Sequence, residues 1–153
     1  MTKALLFLHL LSAFVFVAGA VTAGVLQLTA LNRERPSEIA LLLRTTRIAV
    51  LLVMAGAVAT LGFGLALAGH EGISFGTGWI AASIALWVAS VVLGGLGGRT
   101  ARHARYLAER LAAEGDRASA ELRALVAHRP SLLLSYASTA AIVAILVLMV
   151  WKP

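Results

Sequence analysis

The chain of 153 residues contains no cysteine. That excludes disulfides, a thiolate nucleophile, iron–sulfur clusters and Cys-ligated zinc. Charge is also scarce. Asp, Glu, Lys and Arg make up 13% of the residues, against roughly 25% in soluble domains. It is missing altogether between Lys3 and Arg33, Arg47 and Glu71, Glu71 and Arg99, and Arg129 and Lys152. Paired carboxylates, a Ser/Lys dyad and an HExxH motif are absent too. Membrane proteolysis and group transfer would need such groups.

What is present is apolar: 60% of the residues are hydrophobic and the mean hydropathy is +0.91. Each charge-free stretch is longer than the ~20 residues that cross a ~30 Å hydrocarbon core at 1.5 Å per residue. Four membrane helices are expected, near 4–28, 48–69, 77–98 and 131–151. Backbone groups in lipid must be satisfied within each helix, so the fold class is all-α, a four-helix antiparallel bundle forming a single membrane domain over 1–153. The first span has Lys3 and an A-x-A-like Ala18-Gly19-Ala20, as a signal peptide would. Its charge-free run is too long for an h-region of about 7–15 residues, so it reads as a retained helix.

Arginine sets the orientation. One loop carries Arg33, Arg35, Arg44 and Arg47; another carries Arg99, Arg102, Arg105, Arg110, Arg117, Arg123 and Arg129. With four spans these loops share one side, and the opposite side has Lys3 and Lys152. Arg outnumbers Lys eleven to two and Ala, Leu and Gly abound, a composition common in high-GC bacteria, so the membrane reads as a bacterial plasma membrane. The positive-inside rule puts the arginines in the cytoplasm and both termini outside. The net charge of +6 follows from this bias. Attraction to anionic lipid headgroups accounts for it without nucleic acid, since the arginines flank membrane ends and no aromatic interleaving accompanies them.

Residues 99–129 read as an amphipathic helical segment: Ala104, Leu107, Ala108, Leu111 and Ala112 recur at helical spacing, Gly115-Asp116 marks a break, and Ala118, Leu122, Leu125 and Val126 resume. Pro130 suits the first turn of the last helix. Arg35-Pro36-Ser37-Glu38 reads as a helix start, with Ser37 or a neighbour capping a helix that runs into the second span. Small residues suggest packing seams: Ala20 and Gly24; Ala55, Ala59, Gly62 and Ala66; Ala81, Ala85 and Ala89 with the glycines 94–98; Ala137, Ala140, Ala141 and Ala144. Trp79 and Trp151 suit the outer interface, and Trp87 suits packing.

An ionisable group inside a span invites a functional hypothesis. Here it is His9, about 8 Å below the outer end, on the face of Ser12, Ala13, Phe16, Ala20, Ala23 and Gly24. His70 and Glu71 close the second span on the same side. Two histidines on separate helices could hold haem b axially, or copper or zinc with Glu71 as an oxygen ligand. Equally, His9 could bond a neighbouring carbonyl or Ser12, and His70 could be a plain loop residue. His103 and His128 fall on the cytoplasmic side.

The pattern F-L-H-x-L-x-A-x-x-x-V-x-G over Phe7–Gly19 and the ending LVLMVWKP resemble the integral-membrane family DUF2269. That family in turn is similar to the CopD copper-resistance and HemJ-type membrane proteins. This second resemblance implies a haem-binding role for His9 alone. Phe16 stands where those proteins carry tryptophan, so protoporphyrinogen oxidation is not implied. The expected function is non-enzymatic: a structural or accessory subunit of a membrane assembly, with further copies of itself or other membrane proteins as the expected partners. The alternatives are a haem- or metal-binding redox protein using His9 and His70, and an oligomeric small transporter. The last lacks an intramembrane carboxylate or basic group in its spans.

Overall fold

The computed structural model describes residues 2–151. Five helices follow one another: α1 (Thr2–Leu31), α2 (Pro36–His70), α3 (Gly78–Ala113), α4 (Ala120–Val126) and α5 (Arg129–Trp151). Among the described residues there is no strand. The four long helices are long and apolar enough to cross a membrane, and they alternate in direction as an antiparallel bundle. Lys152, one of the two lysines in the charge count, lies outside the described residues.

At 1.5 Å per residue the 35 residues of α2 span about 52 Å, well beyond a ~30 Å core. The excess carries the arginine-rich sequence. At that end Ala30, Ile39, Leu43, Ala104, Ala108, Leu122 and Val126 form one buried cluster. It joins the end of α1, the start of α2, the end of α3 and the short α4. The amphipathic faces therefore pack on one another, and Leu122 is among the most deeply buried side chains. The expected break falls at Gly115 and Asp116, both with positive φ (114° and 55°). The Asp116 amide returns to the Leu111 carbonyl at 3.0 Å, closing the end of α3.

The start of α2 is capped from a distance. Arg35 occupies the N-cap without a side-chain bond, and Pro36 opens the helix. Ser37 is instead a donor: its amide and hydroxyl each donate to an Asp116 carboxylate oxygen, both at 2.7 Å. These bonds hold the Asp116 carboxyl below the usual carboxylate range. At the start of α5, His128 Nδ1 accepts from the Ser131 amide at 3.4 Å, so this exposed histidine serves as a cap.

Within the spans, α1 packs along α2 and α3 along α5, and α2 meets α3 between the pairs. Close approach depends on particular glycines. A Cβ on Gly56 would lie 2.6 Å from the Phe16 amide nitrogen, and one on Gly19 3.0 Å from the Ala49 carbonyl oxygen. Gly97 would meet the Ser135 hydroxyl at 2.6 Å. Hydroxyls fasten the second pair: Ser138 donates to the Ser90 carbonyl at 2.7 Å, and Ser131 to the Gly97 carbonyl. The expected seams are thus partly displaced. Gly24 and Gly62 have open space where a Cβ would stand. Ala55, Ala59, Gly62 and Ala66 line a shallow groove on the outer surface of α2. The neighbouring face, with Gly56, Ala57 and Gly64, is the one that packs.

Candidate functional site

The end of the bundle opposite the arginines holds a cavity of about 210 Å³ reached by all four spans. Its polar lining comprises His9 of α1, Thr60 of α2, Glu71 of the following loop, and Ser83 with Trp79 and Trp87 of α3. Leucines of α1 and α2, isoleucines of α3, and Ile145 and Met149 of α5 supply apolar wall.

His9 is half-buried, with Nδ1 3.0 Å from the Thr60 carbonyl oxygen. A carbonyl can only accept, so Nδ1 carries the proton, and in the neutral ring Nε2 bears a lone pair. The ring lies against α2 because residue 64 is glycine: a Cβ there would stand 2.9 Å from His9 Cε1. One turn along α2, the Ala57 carbonyl accepts from Trp87 Nε1 at 3.1 Å. Two side chains from different helices thus pin the same stretch of α2. Ser12 plays no part in holding the ring; its hydroxyl donates to the Leu8 and His9 carbonyls.

Of the residues singled out in sequence, His9 and Glu71 come to this cavity. His70 is exposed at the end of α2 and does not line it. His103 is exposed at the far end. Among the described residues no group of three or more His, Asp or Glu could hold a metal ion. Nor do the residues fit a haem: the cavity is below the roughly 300–1,000 Å³ of sites for drug-sized ligands, and no second imidazole lines it. What the arrangement offers is an oriented imidazole nitrogen, hydroxyls, a carboxylate and two indole rings in an apolar setting.

Sequence reasoning missed Thr60 and Ser83, and read Trp79 and Trp87 as belt and filler. A signal was available: Trp79, Ser83 and Trp87 recur every four residues, so they share a face of α3.

Four long apolar helices, bonded to one another through side chains and carbonyls, define an all-α, multi-pass integral membrane protein. Residues 3–153 match the family described as "Predicted integral membrane protein (DUF2269)". The chain belongs to that family. No curated protein and no solved structure matches it.

Proposed function

We propose that this is a non-enzymatic accessory protein of the bacterial plasma membrane, a rigid four-span unit whose small cavity opens on the outer side. The observation that carries the reading is the use made of polar side chains in the spans. His9, Trp87, Ser131 and Ser138 each donate to a backbone carbonyl of another helix. In lipid such bonds, with close glycine contacts, supply the association that the hydrophobic effect does not. The result is a fixed bundle with a shaped recess at one end.

The arginines support the orientation. Arg44, Arg47, Arg99 and Arg102 are exposed beside the spans and form no ion pair with the described acidic residues. Arg33, Arg105, Arg110 and Arg123 each approach a glutamate. The unpaired set suits the anionic headgroups of the inner leaflet. Reporter fusions test this: outside activity is expected after residues 2 and 151 and inside activity at Gly115, and an inside signal at either end would contradict it.

A further inference from the structure

The cavity's hydrogen-bonding capacity leans towards acceptors. The His9 Nδ1–H is committed to the Thr60 carbonyl, which leaves Nε2 as an acceptor. The Ser83 hydroxyl donates to the Trp79 carbonyl at 2.7 Å, which leaves its lone pairs. The Trp87 N–H is committed to Ala57, so that indole lines the cavity without offering it a free donor. Glu71 brings a carboxylate and is exposed. Thr60 adds a second anomaly. Thr29, Thr45, Thr46 and Thr139 each donate to the carbonyl four residues back. Thr60 Oγ1 is buried with no hydrogen-bond partner.

We propose that this cavity binds a small organic ammonium ion, a protonated primary amine with a short apolar body. The ammonium brings three donors and no acceptor, which complements His9 Nε2, Ser83 and the Glu71 carboxylate. An indole face attracts a cation. The leucine, isoleucine and methionine walls accept the apolar body, the usual division of labour in a small-molecule site. An anion of equal size would meet the Glu71 charge and find few donors. The proposal rests on the preceding reading only for the side from which the ligand arrives.

The test is calorimetric titration of the full chain in zwitterionic nanodiscs, with empty nanodiscs as the blank. The probes are n-butylammonium, 1-butanol and butyrate. Saturable binding of n-butylammonium is expected, about tenfold tighter than 1-butanol, as a charge-assisted hydrogen bond implies. Butyrate should not bind. Glu71→Gln lies in an exposed loop, so the bundle is retained, and it should weaken n-butylammonium about tenfold. Ser83→Ala should weaken it several-fold. Equal binding of the amine and the alcohol, no binding of the amine, or an unchanged affinity in Glu71→Gln would overturn the proposal. Reversed topology in the fusion assay would leave this titration unchanged, so the two readings fail separately.

Discussion

Gly64 and His9 form a close contact: a Cβ on residue 64 would stand 2.9 Å from the imidazole Cε1 and 3.1 Å from Nδ1. The glycine is what lets the ring reach the Thr60 carbonyl one turn away on α2. Gly64→Ala should therefore lift the ring and lengthen the His9–Thr60 bond. Overpacking typically costs about 1–3 kcal/mol, against a helix-propensity gain of about 1 kcal/mol. A lowered thermal midpoint in detergent is expected, and an unchanged or raised midpoint would show that the contact is slack.

Two other glycines of α2 give opposite expectations. Gly56→Ala would press on the Phe16 backbone at 2.6–2.8 Å, where no flexible side-chain tip can yield. Gly62→Ala meets nothing within 4 Å. The first should lower the thermal midpoint clearly, and the second should leave it unchanged or raise it. Similar losses in both would mean that the groove of Ala55, Ala59, Gly62 and Ala66 packs against something after all.

Hydroxyl bonds between α3 and α5 should be individually modest. Hydrogen bonds between membrane helices average about 0.6 kcal/mol, with a maximum near 1.7 kcal/mol. Ser138→Ala, which removes the donor to the Ser90 carbonyl, should fall in that range. Gly97→Ala should cost more, because its Cβ would meet the Ser131 carbonyl oxygen at 2.9 Å as well as the Ser135 hydroxyl. Equilibrium unfolding of the two variants in mixed micelles measures the order, and the reverse order would contradict the packing.

The clasp between Asp116 and Ser37 makes the arginine-rich end acid-sensitive. The bonds from Ser37 favour the ionised carboxylate and lower its pKa in the folded chain. A carboxyl lowered on folding stabilises the fold above its ordinary value of 3.8, and this contribution fades as pH falls through the lower folded value. Amide exchange at the start of α2 should accelerate as pH falls below about 4, after correction for the intrinsic exchange rate. Asp116→Asn should exchange fast at neutral pH and lose that acid dependence. Identical profiles in both chains would remove the clasp from the account.

That clasp also marks where the sequence stops being legible. Four spans, the helices running past the membrane and the break at Gly115-Asp116 all follow from local signals: charge gaps, helical periodicity and a turn dipeptide. The Asp116–Ser37 contact joins residues 79 apart, and no local pattern encodes it. Helix faces were legible only in part. In lipid both the packed and the outward faces of α2 are apolar, so polarity does not separate them. Small residues occur on both, and the stripe from Ala55 to Ala66 looks as suitable as the face of Gly56, Ala57 and Gly64 that packs. At the site, His9 stood out because it can ionise. Thr60 did not, since a threonine in a span ordinarily bonds its own helix, and only the structure shows that this one does not.

The nitrogen of His9 that carries the proton decides whether the cavity holds an imidazole acceptor. Nitrogen-15 NMR of the full chain with labelled histidine, in lipid nanodiscs at neutral pH and assigned with His9→Gln, reads this directly. The account predicts a protonated Nδ1 and a bare Nε2, with the Nδ1 proton hydrogen-bonded. A proton on Nε2 with Nδ1 bare would contradict it, because the Thr60 carbonyl oxygen would then face a bare Nδ1 with no proton between them and the cavity would lose its imidazole acceptor.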